Sequence, residues 1–298
     1  MSHLIVTNGL SGVETLRLAG IPGELMSWDD VLHDGPVRGA LAPSEYRKSR
    51  ARFLGGLAGA DQVEERLKQR DERLHGYTGV IVLWFEHDLY DQLQLAEIVS
   101  RLDPAREVLL VPQDTYIAHS RAAALQQSWT NRAPLSHDQR RQAETVWRTF
   151  TSERPDLISE PIAQDALPFM PSALLRWCAM FPDRRAGLSR TERLVLELCA
   201  NGPMPGGRLF GSTQAAEEAV FRGDWSFWRL LDGLKGLVVA QGDGAHHERS
   251  WQCTALGLSV LRGEVDRLEA VGLDRWFGGT RVTPQNDWRW DGERLRRG

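Results

Sequence analysis

Cysteine is scarce in this sequence, neither sign of charge is in excess, and long apolar runs are missing. The 298 residues include three cysteines, Cys178, Cys199 and Cys253, whose wide spacing matches no metal motif, so we expect them to pack in the core without disulfides. A net charge of −4 excludes a global basic field that would attract nucleic acid or anionic lipid. No run approaches the ~18 apolar residues of a membrane helix. The start of the chain carries no basic leader, which predicts a cytoplasmic protein with no membrane partner.

The N-terminal part alternates short apolar runs with segments long enough for crossover helices. Such runs are typical of strands buried on both faces, and their alternation with helices predicts a parallel sheet. The predicted strands are Leu4–Thr7, Glu24–Trp28, Val80–Phe85 and Val108–Val111. Two helices are predicted between the second and third strands, near Pro43 to Leu57 and near Asp61 to His75. The predicted fold class is therefore α/β, with a small parallel, Rossmann-like sheet in a domain over residues 1–134.

The strand signal disappears after this domain. Apolar residues at helical spacing predict a helical connector over residues 135–186. Ser189 and Glu192 then have the spacing of a capping box, and the helix-helix-helix-hairpin order that follows predicts a winged-helix-like domain over residues 187–298. Its end, from Arg275, carries three tryptophans and is expected to be an ordered arm. The remaining predicted elements are the helices Asp138–Phe150, Pro171–Met180, Gly206–Phe210 and Asp224–Leu234 and the strands Leu237–Ala240 and Ser250–Thr254.

Polar residues follow every predicted strand of the N-terminal domain. Because ligands of open parallel sheets bind outside the carboxyl ends of the strands, we expect a functional site at that edge. The most informative stretch, Trp84–Leu95, runs from a buried strand through acids and a histidine into an amphipathic helix. The catalytic candidates are Glu86, His87, Asp88 and His33. The substrate-binding candidates are Asn8, Gly9, Ser11, Asp30, Asp91 and Gln92.

These residue types favour hydrolysis or group transfer on an anion. His87 is the acid/base candidate, and the carboxylates of Glu86, Asp88 and Asp91 would polarise the substrate or hold a metal. The small-residue turn that begins at Asn8 could present backbone N–H groups to a phosphate or carboxylate. A divalent metal is a candidate cofactor, but ligand spacing across separate loops does not choose between metal-assisted and metal-free chemistry.

Each candidate also has a structural interpretation. Asp88 and Asp91 fit a helix N-cap and an acid in the first turn. His33 precedes Gly35-Pro36, which marks a tight turn. The basic stretch Tyr46–Phe53 could clamp a phosphate, but a solvated helix face is the favoured interpretation.

Charge argues against DNA binding by the C-terminal domain. From Leu188 to Glu264 it has eight basic and nine acidic side chains, whereas a DNA reader normally shows a basic face. Aromatic residues occupy the helix that would read bases. A protein partner is therefore the favoured partner of this domain, and nucleic acid is not expected.

Two segments resemble the signature motifs of a known family. Val31–Val37, with the sequence VLHDGPV, and Trp84–Leu95, with the sequence WFEHDLYDQLQL, are similar to motifs of bacterial domain-of-unknown-function family eighteen thirty-five. Asn8–Ser11 and Gly187–Arg193 resemble the flanking motifs of its full-length members. The resemblance covers most of the chain and implies a bacterial protein, but it implies no activity.

The sequence thus favours an enzyme, a hydrolase or transferase acting on a small anionic substrate that is phosphorylated or nucleotide-like. The alternative is a non-enzymatic regulatory or adaptor protein that senses a ligand and engages a protein partner. A DNA-binding regulator is the third hypothesis.

Overall fold

The structure, a computed structural model, describes residues 3–56 and 59–298. Met1, at the start of the chain, and Leu57, the predicted helix end, lie outside the described residues. The chain divides into two compact units. Unit 1 comprises Met1–Leu174 and Gly278–Thr280, and unit 2 comprises Leu175–Phe277 and Arg281–Gly298. The segment predicted as a connector, residues 135–186, is therefore divided between the two units.

Unit 1 is built on a five-stranded sheet, as the predicted α/β class requires. Its strands lie in the order β2-β1-β4-β5-β6, and every neighbouring pair is parallel except β5 and β6. A two-residue strand, β3, lies outside this sheet. The strands are β1 (His3–Asn8), β2 (Glu24–Trp28), β3 (Gly35–Pro36), β4 (Val80–Phe85), β5 (Val108–Pro112) and β6 (Ala133–Pro134).

The central strand explains why the apolar runs predicted the sheet so well. All six residues of β4 are buried, because helices cover both faces of a parallel sheet and leave no solvated side. In the register, Ile81 of β4 is paired with Leu4 on one side and with Val108 on the other.

Helices connect the strands of unit 1 and follow the last of them. The helices are α1 (Gly9–Leu18), α2 (Pro43–Leu54), α3 (Ala60–Gly76), α4 (Leu89–Arg101), α5 (Ala122–Thr130), α6 (His137–Phe150), α7 (Ser159–Ile162) and α8 (Met170–Cys178), with 3-10 turns at Ile117–His119 and Pro155–Ile158. The α8 helix extends into unit 2 from Leu175 onward. One core cluster joins Val82 and Trp84 of β4 to Leu16 of α1 and Leu125 of α5. The α5 helix and the short β6 were not predicted.

The basic stretch in α2 is not simply a solvated face. Its Arg50 side chain is completely buried and makes a two-nitrogen contact with the Asp30 carboxylate, with Nε 3.1 Å from Oδ1. The prediction of a solvated face is therefore wrong for Arg50, because a partner twenty positions earlier neutralises its charge.

Unit 2 consists of short helices and small antiparallel sheets. Its helices are α9 (Arg190–Cys199), α10 (Gly206–Ala215), α11 (Asp224–Asp232), α12 (Ala255–Arg262) and α13 (Arg267–Val271). Its strands are β7 (Met204–Pro205), β8 (Val238–Gln241), β9 (Ser250–Cys253), β10 (Arg275–Gly278), β11 (Thr280–Val282), β12 (Trp288–Trp290) and β13 (Leu295–Arg297), where β10 and β11 include residues of unit 1. Within unit 2, β7, β9 and β8 form one antiparallel sheet, and β12 pairs with β13.

Several local predictions for this part of the chain are confirmed. The Ser189 hydroxyl accepts a hydrogen bond from the Glu192 backbone N–H, and the Glu192 carboxylate accepts one from the Ser189 N–H, which is the predicted capping box. The three cysteines are buried and form no disulfide. The tryptophan-rich end is ordered, with Trp288 buried in β12. Across the described part of the chain, no helix combines the length and the apolar character needed to cross a bilayer.

Candidate functional site

The sheet topology marks a crevice between the carboxyl ends of β1 and β4. From β1 the chain passes to β2 on one side, while β4 lies on the other side, so the strand order changes direction between β1 and β4. Ligands of open α/β sheets bind at such a switch point. Asn8 is the last residue of β1, and Glu86 directly follows β4. The predicted site residues at these two exits therefore meet at the position where this architecture offers a site.

Three carboxylates come together there. Each of Glu86, Asp88 and Asp91 offers one oxygen, and these oxygens all lie within 4.8 Å of one another. The three side chains are buried. Within residues 3–56 and 59–298, no Arg, Lys or His forms an ion pair with any of them. This arrangement brings three acidic groups close together in a buried position.

Hydrogen bonds from four different segments hold the carboxylates in place. The Asn8 side-chain amide and the Glu86 backbone N–H both donate to the Asp91 carboxylate, the latter at 2.6 Å. The Ile117 N–H donates to the Glu86 carboxylate, also at 2.6 Å. Asp88 accepts from the backbone N–H groups of Tyr90 and Asp91 at 2.8 and 3.2 Å, so the predicted N-cap of α4 is confirmed. A capping role and a site role are thus compatible for Asp88.

Burial changes the proton affinity of all three acids. Loss of solvation, together with the charge of Glu86, raises the pKa of Asp88 to about 7. Burial and the neighbouring carboxylates raise the pKa of Asp91 well above its usual range. Burial also raises the pKa of Glu86, although its bond from Ile117 opposes the shift. Without a cation, the cluster therefore retains protons that a bound cation would displace.

The His87 ring faces aromatic neighbours rather than joining the carboxylate cluster. Its centroid lies 5.1 Å from that of Tyr116 and 6.1 Å from that of Phe169. Its Nδ1 is buried and, in the part of the chain that the structure describes, has no hydrogen-bond partner. Burial lowers the pKa of His87, and Asp114 partly opposes this shift. The imidazole is consequently held in the neutral form that can accept a proton.

The remaining candidates at these exits surround the cluster. The Gln92 side chain donates to the Glu86 carbonyl oxygen at 2.6 Å and so orients the end of β4. Gly9 begins α1 with φ at +62°, a conformation that favours glycine, and places the first turn of α1 beside the crevice. Ser11 is exposed in that turn.

Two further predicted site residues, Asp30 and His33, have contacts outside the carboxylate cluster itself. The Asp30 carboxylate forms an ion pair with the buried Arg50. His33 is buried in a turn. A hydrogen bond of 3.0 Å from the Asp34 N–H to the Val31 carbonyl oxygen closes this turn. The centroid of the His33 ring lies 5.9 Å from that of Tyr90, in an edge-on arrangement. His33 therefore lies in the predicted tight turn, beside a residue of the first turn of α4.

Sequence reasoning missed two contributors to the site. The backbone N–H of Ile117 holds Glu86, and the Phe169 ring packs against His87. Ile117 follows the polar exit of β5, which indicates a loop at this edge but not its contact with β4. No feature of the sequence points to Phe169.

Comparison with known proteins found no family model that matches the chain and no curated protein that is similar to it.

Proposed function

We propose that unit 1 is an enzyme that hydrolyses or transfers a group of a small anionic substrate, phosphorylated or nucleotide-like, with the help of a divalent cation held by Glu86, Asp88 and Asp91. The observation that carries the proposal is the convergence of three buried carboxylates without a cationic side chain among the described residues. Carboxylate oxygens are the ligands that hard divalent cations such as Mg²⁺ and Mn²⁺ prefer. The position at the strand switch point supports the same conclusion.

The donor set fits such a cation because its oxygens are already oriented. Asn8 and the backbone N–H groups of Glu86, Tyr90 and Ile117 hold the carboxylates through hydrogen bonds, as outer-shell partners of metal ligands commonly do. A bound cation would polarise a phosphoryl or carbonyl oxygen of the substrate.

The neighbouring residues would act on the substrate itself. The backbone N–H groups of the first turn of α1, beside Gly9 and Ser11, would receive the anionic group, because the N-terminal end of a helix favours negative charge. His87 would accept a proton from the attacking nucleophile, because burial keeps its imidazole neutral. Asp30 and His33 support the fold in this proposal and do not touch the substrate.

A metal titration tests the cation site. We expect Mn²⁺ or Mg²⁺ to raise the melting temperature of the full chain, and Glu86→Gln and Asp88→Asn to abolish that increase. Asp103→Asn, which changes an exposed acid on the loop after α4, is the matched control and should leave the increase intact. If neither ion changes the melting temperature of the parent chain, the cation site is wrong.

A turnover assay tests the reaction class. His87→Ala should keep the metal-dependent increase in melting temperature but lose hydrolysis of a generic phosphomonoester such as p-nitrophenyl phosphate. Metal binding without turnover of phosphate esters or nucleotides would favour the ligand-sensing regulator instead.

Unit 2 supports a second, separate proposal. We propose that this part of unit 2 is a winged-helix-like module, and the element order α9-β7-α10-α11-β8-β9 with an antiparallel β7-β9-β8 sheet supports that proposal. Because this segment is slightly acidic, we propose a protein partner for it rather than DNA. Failure to shift any duplex at low salt, where phosphate-driven affinity is greatest, would agree with this choice. We also propose that the chain belongs to bacterial domain-of-unknown-function family eighteen thirty-five and that the protein is cytoplasmic.

A further inference from the structure

A cavity in unit 1 lies at the opposite end of α4 from the carboxylate cluster. Arg101, the last residue of α4, lines this cavity and follows Asp91 by ten positions, or about 15 Å along a helix. The cavity has a volume of about 470 Å³, within the range of small-molecule sites. Residues of α2, α3, α4 and α6 contribute to its wall.

The charges around this cavity do not balance. Three guanidinium groups converge on the single carboxylate of Asp71: those of Arg70, Arg101 and Arg47, at nitrogen-to-oxygen distances of 3.0, 3.3 and 3.4 Å. Arg101 also pairs with the buried Glu97. Burial opposes ionisation of Glu97, yet Arg101 and Arg70 keep its pKa below the usual range. Within this cluster of five side chains, three positive charges therefore face two negative ones.

The Arg47 guanidinium has unused hydrogen-bonding capacity. Its Nη1 reaches Asp71 only at 3.4 Å, and its Nε is buried with no partner within the described residues. Buried guanidinium nitrogens without partners are costly, and a planar fork of this kind suits the oxygens of a phosphate. Lys68, also on the cavity wall, lies 3.9 Å from the carboxylate of Glu72, another wall residue, so this pair adds no net charge.

Part of the cavity lining is apolar. Trp147 of α6 lines it together with Leu41 and Pro43, which precede and begin α2. A wall of this kind packs against a ring or an aliphatic group rather than against a bare ion. The site therefore combines an oxyanion-binding wall with a surface for an organic body.

We propose that this cavity binds a phosphorylated small molecule, with its phosphate on Arg47 and Arg101 and its organic part against Trp147. This site is separate from the proposed catalytic site, and it does not require that the carboxylate cluster binds metal. A ligand here would add hydrogen bonds to guanidinium groups on both α2 and α4, and so would stabilise the contact between these helices.

Calorimetric titration of the full chain in EDTA tests the proposal, with inorganic phosphate and phenyl phosphate as probes. The parent chain should bind both saturably, and phenyl phosphate more tightly. Arg47→Met should weaken the binding of both probes at least tenfold, and Arg47→Lys by less, because it keeps the charge but loses the fork. Trp147→Ala should remove the advantage of phenyl phosphate and leave phosphate binding unchanged. Arg141→Met, which removes an exposed arginine of α6 outside both sites, should bind both probes like the parent.

Thermal melts without phosphate separate a binding role of Arg47 from a structural one. If Arg47 is held for a ligand, Arg47→Met should melt at the same temperature as the parent or higher, because one of three mutually repelling guanidiniums is removed. A clear fall in its melting temperature would instead make Arg47 part of the fold. That result, the absence of saturable binding by the parent, or unchanged binding by Arg47→Met would each overturn the proposal.

Discussion

The side-chain amide of Asn8, at the end of β1, donates a hydrogen bond to the carboxylate of Asp91, in the first turn of α4. The two residues are 83 positions apart in the chain and meet because β1 and β4 are neighbours in the sheet. This bond fixes one carboxylate of the cluster and connects the two strand exits that flank the crevice.

Asn8→Ala should weaken cation binding without unfolding the chain. Outer-shell partners of metal ligands typically contribute about 10- to 100-fold in affinity, and Asn8 holds Asp91 from the outer shell in the proposed site. Calorimetric titration with Mn²⁺ measures the effect, and Ser11→Ala, an exposed change in the same turn, serves as the control. Equal affinities for Asn8→Ala and the parent would mean that the bond does not orient a metal ligand.

The metal-free chain should lose stability as the pH rises. The folded pKa of Asp88, about 7, lies above its ordinary value of 3.8, so the protonated side chain stabilises the fold. That contribution is fully present below about pH 4 and is lost as the pH rises towards and through pH 7. Asp88→Asn should therefore gain stability relative to the parent with rising pH, by a few kcal/mol at most. Urea unfolding of both chains in EDTA across this range measures the difference, and a pH-independent difference would contradict it.

A divalent cation should reverse this trend. Cation binding requires ionised carboxylates, so the increase in melting temperature caused by Mn²⁺ should become larger as the pH rises through the folded pKa of Asp88. Melts with and without Mn²⁺ at several pH values test this expectation. An increase that does not vary with pH would place the cation at other ligands.

The Asp30–Arg50 pair should be essential to the fold. Asp30→Ala leaves a buried guanidinium without its carboxylate and should cost about 3–5 kcal/mol in the free energy of unfolding. Replacing both residues, as in Asp30→Leu with Arg50→Met, should recover much of this loss. Urea denaturation measures stability. If the double variant regains stability but not turnover, Asp30 contacts the substrate after all.

Gly35 should tolerate no side chain. Its φ is +75°, and a Cβ atom would lie 2.5 Å from the Phe53 ring. Gly35→Ala should therefore lose about 1–2 kcal/mol from backbone strain and more from the collision. Gly20 is a matched control, because its φ is +72° and a Cβ atom there would meet no neighbour within 4 Å among the described residues, so Gly20→Ala should show the strain alone. If thermal unfolding shows the same loss of stability for Gly35→Ala and Gly20→Ala, the collision with Phe53 makes no contribution.

Local sequence was enough to predict the elements whose stability is local. Val80–Phe85 was predicted with its observed bounds because a strand covered on both faces needs an unbroken apolar run. The Ser189–Glu192 capping box was predicted because both of its hydrogen bonds join residues three positions apart. The two-residue β6 was missed, since so short a strand has no periodicity of its own.

For the acidic residues, the sequence specified the side chains at the strand exits, and the tertiary structure selected their partners. Asp30 lies against Arg50, whereas Asp91 lies against Asn8 and Glu86. A carboxylate carries the same charge in either setting, so its residue type and local spacing do not distinguish an ion pair from a cluster. That distinction depends on which distant segments the sheet order places beside each strand exit, and it put Asp30 in an ion pair and Asp91 in the carboxylate cluster.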